Sequence, residues 1–149
     1  MPLKDVPDGA ICYIDATIFY YHIVNSPPLS EDCSDFLERV EQGSVHGMTS
    51  AVAVSEATHK VMLTEVVAQH GVDRKGLIAR IKRHPELLDG LAEHKRVIET
   101  IRHLGLSVEP DYARHSGERR GAVLAAAPAD ERRANSRPDG EARGARVSH

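Results

Sequence analysis

Tryptophan is missing from the 149 residues, phenylalanine occurs twice and tyrosine four times, so a nucleobase-stacking platform has little to draw on. Cys12 and Cys33 are the only cysteines, with no Cys-x-x-Cys step between them. A disulfide framework and a thiolate zinc site are therefore not supported, and both residues read as small core hydrophobes. No apolar run approaches the ~18 residues a membrane-spanning helix needs, and the opening MPLKDVPDGA lacks the apolar stretch of a secretory signal. The expectation is a cytoplasmic protein with no membrane partner. There is also no HExxH helix, no GxSxG elbow and no Gly-rich phosphate loop, and the nine histidines are scattered.

What is present suits one domain of ordinary size: 41% hydrophobic residues and 28% charged ones. The average hides a break near Ala113. Residues 1–112 carry eleven basic and seventeen acidic side chains, net −6, whereas 114–149 carry eight and five, net +3. All five lysines lie at or before Lys95, and every basic residue other than histidine in 113–149 is arginine, set among Ala, Gly and Pro. The larger aliphatics of that stretch are Val123, Leu124 and Val147, too few to offset the entropy of ordering it. We expect disorder there or a short docked helix around residues 122–127; such text is also what a high-GC gene yields when read out of frame.

The first 112 residues alternate between two periods. Ile11-Cys12-Tyr13-Ile14, after the turn signal Pro7-Asp8-Gly9, reads as a strand buried on both faces and ending at Asp15. A helix over 17–24 stops at Asn25-Ser26-Pro27-Pro28. Ser30 then reads as an N-cap, with Cys33, Phe36, Leu37 and Val40 on one face and Gly43 as terminator. Residues 45–48 form a second strand, after which Thr49 and Ser50 cap a long helix over 51–69 closed by Gly71. Two more helices are expected, over 74–83 with Leu77, Ile78 and Ile81 inward, and over 85–104 with Leu87, Leu91, Ile98, Ile101 and Leu104 at helical spacing. Leu106-Ser107-Val108 is a third strand. The fold class is α/β, an open parallel sheet flanked by helices.

Function in such a sheet gathers just beyond the carboxyl ends of the strands. Asp15 stands there, where a carboxylate is costly to desolvate unless it caps a helix, meets a cation or binds a metal. Glu56 lies in the apolar run Val52-Ala-Val-Ser-Glu56-Ala57 after the second strand; its plain alternative is a glutamate on a solvated helix face. Parallel first and second strands bring both acids to one edge. Glu56-Ala-Thr-His59 is the Glu-x-x-His unit of di-iron bundles, but no second copy accompanies it.

The segments Tyr13-Ile-Asp15-Ala-Thr17-Ile-Phe19 and Thr49-Ser50-Ala-Val-Ala-Val-Ser-Glu56, separated by a helix and a Gly-bounded strand, resemble the first half of a PIN domain, the fold of VapC-type toxin ribonucleases, over about residues 10–110. The resemblance implies RNA phosphodiester hydrolysis with Mg²⁺ or Mn²⁺ held by Asp15 and Glu56, Thr17 and Ser50 orienting carboxylates or water, an antitoxin protein as partner and a possible homodimer. PIN domains take a third acid, and often a fourth, from a later Leu-Thr-Asn-Asp stretch. Neither Asp111, beside Pro110, nor Asp130 has that context, so neither receives the role, and the later sheet strands are expected to be missing.

Arg74, Lys75, Arg80, Lys82 and Arg83 crowd into ten residues; they form either a solvated helix face or a local grip on an RNA backbone. The competing function is a PIN remnant that binds protein without cutting, through a helical surface on Phe36, Val40, Val61 and Val66.

Overall fold

The structure, a computed structural model, describes residues 2–110 together with Val123 and Leu124. It is an α/β arrangement around a parallel sheet of order β3-β2-β1-β4. β1 is Ile11–Tyr13, β2 is His46–Ser50 and β3 is Ser107–Glu109, with β4 at Val123–Leu124. Between β1 and β2 run α1 (Ala16–Val24) and α2 (Leu29–Glu41), and between β2 and β3 run α3 (Ala51–His70), α4 (Leu77–Arg83) and α5 (Arg96–His103). No described helix is long and apolar enough to cross a membrane.

The chain breaks where its chemistry forces it to. Asn25 ends α1 at φ +53°, a left-handed conformation that Asn tolerates better than other non-glycine residues. Ser50 begins α3 by accepting the Ala53 N–H at 3.1 Å, and Gly71 closes that helix at φ +61°. The pairing Ile11↔His46, Cys12↔Gly47, Tyr13↔Met48 fixes the register of the two central strands. Glycine is required at position 47 for space: a Cβ there would lie 2.7 Å from both Ile14 Cδ1 and Leu106 Cδ2.

Apolar side chains gather in two clusters. The larger holds Cys12, Ile14, Ile18, Phe19, Phe36, Ala53, Ala57, Val61 and Val97, joining β1 to α1, α2, α3 and α5. The smaller is Val66, Leu77 and Leu91, flanked by Met62, Leu63, Val67, Ile81 and Leu87. α3 contributes to both.

Several expectations need correction. Gly76, at φ +69°, starts α4 three residues late, and Ile78 is 44% exposed rather than inward. The helix expected over 85–104 is three pieces: 3₁₀ turns at Pro85–Leu88 and Glu93–Lys95, then α5. The chain turns at Gly90, φ +76°, which folds Leu91 inward, and in α5 it is Val97 rather than Ile98 that is buried. α2 begins at Leu29, so Ser30 lies inside its first turn, buried, its hydroxyl without a hydrogen-bond partner among the described residues. Ile11 is 48% exposed, so β1 is not buried on both faces. Val123 and Leu124 are a strand paired in parallel with Cys12 and Tyr13, not part of a helix over 122–127, and the sheet has a strand beyond β3. Phe36, Val40, Val61 and Val66 are all core residues; helical periodicity placed them inward, and the protein-binding surface assigned to them does not exist. Asp111, Asp130 and the remaining readings of 113–149 lie outside the described residues.

Candidate active site

Two hydrogen bonds set the carboxyl edge of the central strands. The Ile14 N–H donates to the Met48 carbonyl at 2.7 Å, continuing the β1–β2 ladder past the last residue of β1. The Thr49 hydroxyl donates to the Ile14 carbonyl at 2.8 Å, where both groups are buried. Extended by two residues, the Tyr13↔Met48 register brings Asp15 level with Ser50. On the far side of β2 the pairing Ser50↔Glu109 adds the end of β3 to the same row.

Asp15 occupies the N-cap position of α1 with extended backbone, φ −81° and ψ 161°, yet its carboxylate makes no capping hydrogen bond. Among the described residues it is the backbone carbonyl of Asp15 that is used, accepting from the Ile18 N–H at 3.1 Å. The plain alternative of a helix cap is thus not what this side chain does. Thr17 is buried in the first turn of α1. Glu56 is exposed, one and a half turns into α3.

Ser50 is 3% exposed and its Oγ is already engaged, accepting from Ala53 N–H and sharing a 2.6 Å hydrogen bond with the Tyr13 hydroxyl. These contacts make Ser50 the anchor that aims the start of α3, the helix on which Glu56 rides. Tyr13 and Glu109 are members of this edge that sequence reasoning passed over. Tyr13 carries a signal, since strand alternation puts it on the face of Asp15. Glu109 follows the strand-end logic that singled out Asp15, applied one residue beyond Val108.

The donors at this edge are carboxylate oxygens, which suit a hard divalent cation that keeps several of its waters. Among the described residues no group of three or more His, Cys, Asp or Glu side chains is arranged to hold a metal ion, which leaves a two-metal clamp unsupported. The five cations Arg74, Lys75, Arg80, Lys82 and Arg83 are exposed and sit away from this edge, on and just before α4.

A cavity of about 450 Å³ lies elsewhere, between α1, α2 and α5, lined by His22, Glu38, Glu41, Glu99 and His103 among others. None of the candidate site residues lines it. There His22 bonds the Ser34 hydroxyl at 2.8 Å, and burial, helped by the positive charge of Arg96, holds its pKa below the usual imidazole value.

No family model, curated protein or solved structure matches this chain.

Proposed function

We propose that the chain is a PIN-like, divalent-metal-dependent ribonuclease that hydrolyses RNA phosphodiester bonds, with Asp15 and Glu56 as ligands for Mg²⁺ or Mn²⁺. The observation that carries this reading is the Asp15 carboxylate, set at the end of a central parallel strand and at a helix N-cap without capping the helix. An acid in that position that serves no structural bond is available to a cation. When bound, the cation would supply an activated water and neutralise charge at the scissile phosphate.

The chain's own residues do the positioning. The Thr49 bond to Ile14 holds the ends of β1 and β2 together, so Asp15 cannot drift from the start of α3. Ser50, held by Tyr13, fixes the direction in which α3 leaves the sheet and hence where Glu56 is presented. Thr17, buried two residues after Asp15, would orient a carboxylate or water through its hydroxyl. The same family resemblance implies an antitoxin partner and a homodimer.

The test is cleavage of a fluorescently labelled RNA in Mn²⁺ and in Mg²⁺, with Asp15→Asn and Glu56→Gln beside the wild type. Metal-dependent cleavage by the wild type, reduced at least tenfold in each variant, supports the assignment. A wild type as inert as both variants, all three giving the same circular dichroism, overturns it.

A further inference from the structure

We infer that α4 and the turn before it form a docking surface for single-stranded RNA, separate from the hydrolytic edge. Arg74, Lys75, Arg80, Lys82 and Arg83 are all exposed. Among the described residues none of the five side chains meets a carboxylate, whereas those of Arg39, Arg96 and His103 each do. Arg74 instead donates to the Thr64 hydroxyl at 3.3 Å, and Arg83 Nε donates to the Ala79 carbonyl at 3.4 Å. Three acids of this region hold other groups: Asp73 accepts the Lys75 backbone N–H, Glu86 pairs with His84, and Glu65 accepts the amides of Ala92 and Glu93. Like charges three residues apart on a helix, such as Arg80 and Arg83, repel one another, and an anionic partner removes that repulsion.

The surface is anchored to the domain through the smaller apolar cluster. Leu77 is buried and Ile81 packs inward with it against Val66 and Leu91. Thr64 ties Arg74 to the body of the domain, because the same hydroxyl oxygen is bonded by Tyr20 at 3.0 Å. Ten residues of α3 separate Glu56 from Val66, about 15 Å along the helix axis, so one strand of nucleic acid gripped at α4 reaches the edge within a few nucleotides.

A bilayer surface is a poorer match, because a helix lying on lipid presents a broad apolar face, and the apolar face of α4 is turned into the domain with Ile78 the one large apolar side chain of that helix left exposed. The choice of RNA among polyanions rests on the ribonuclease reading. The five-cation stretch contains no aromatic residue, so the grip is electrostatic, steeply dependent on salt and indifferent to base identity.

The experiment titrates the full chain against a labelled oligouridylate of about 20 nucleotides in EDTA, across a series of salt concentrations, following fluorescence anisotropy. Each phosphate contact contributes about 0.7 to the slope of log affinity against log salt. The triple variant Arg80→Gln/Lys82→Gln/Arg83→Gln is expected to flatten that slope by about 2 and to bind about a hundredfold more weakly at ~0.1 M salt. Arg74→Gln/Lys75→Gln, outside the helix, is expected to flatten it by about 1.4, and oligoadenylate to bind as oligouridylate does. Wild-type affinity and slope in both variants overturn the inference, as does binding to phosphatidylserine vesicles or polyglutamate without binding to RNA. Because EDTA removes hydrolysis from the titration, a wild type that binds RNA but never cleaves it defeats the ribonuclease reading alone, and one that cleaves without using these cations defeats this surface alone.

Discussion

The Thr49 side chain donates its hydroxyl proton to the main-chain oxygen of Ile14, thirty-five residues earlier, with Thr49 and Ile14 both 0% exposed. A buried carbonyl at the last turn before Asp15 is thereby satisfied by a side chain from the neighbouring strand rather than by the ladder. Replacing Thr49 by Val keeps the volume and leaves that oxygen without this donor. We expect a loss of about 1–3 kcal/mol in stability, read from the urea midpoint at unchanged slope. If the ribonuclease reading holds, activity falls too, since the same bond aligns the strand ends.

Gly47→Ala tests the packing of the sheet against α2. The new methyl would meet Ile14 Cδ1 and Leu106 Cδ2 at 2.7 Å and Val40 Cγ1 at 3.1 Å. One flexible side-chain end could step aside cheaply; three at once in a filled region cannot. The expected cost is about 1–3 kcal/mol, measured by thermal unfolding.

Ser50→Ala removes the N-cap of α3 and the partner of Tyr13 together. The cap alone is worth about 1 kcal/mol. Tyr13→Phe removes the second bond and leaves the cap in place, so it should destabilise less than Ser50→Ala. Equal losses in the two variants, measured by chemical denaturation, would place the whole effect in the Tyr13 contact and none in the cap.

Stability should fall with acid in two separate windows. Burial pushes the Glu65 carboxyl up, but the amides of Ala92 and Glu93 and the side chain of His94 outweigh it, and its pKa lies below the ordinary glutamate value of 4.5. The unfolded chain then takes up that proton first, so the contribution is present above about pH 4.5 and is lost as pH falls through the lower folded value. His22, also held below its ordinary 6.5, follows the same sign at higher pH: it stays neutral in the fold, the unfolded chain protonates first, and stability begins to drop below about pH 6.5. Glu65→Gln should flatten the lower window and His22→Gln the upper one in plots of unfolding midpoint against pH.

Much of the fold could be read from punctuation. Asn25 with the two prolines after it, Gly43, Gly71 and the Thr49-Ser50 pair each mark a real boundary, because backbone conformation and capping are local chemistry. The 85–104 region misleads because its leucines and isoleucines keep helical spacing across Gly90, and only the +76° φ of that glycine shows the chain turning. β4 is invisible in composition: two apolar residues make a strand only because β1 has a free edge to receive them. At the candidate site, the position of Asp15 follows from the strand end, but its lack of a capping bond does not, and the Tyr13–Ser50 contact joins residues thirty-seven apart that no local pattern connects.

α3 runs through both apolar clusters, carrying Ala53, Ala57 and Val61 into one and Val66 into the other. Among the described residues the second has three buried side chains, so we expect it to open before its larger neighbour. Native-state hydrogen exchange should accordingly sort the amides of this single rod into two classes, residues 66–70 and α4 released in a partial opening and residues 53–61 released only on global unfolding. The cation-rich arm would then come loose as a unit while the acidic edge stays assembled, so a bound polyanion would reveal itself by slowing exchange in the first class alone.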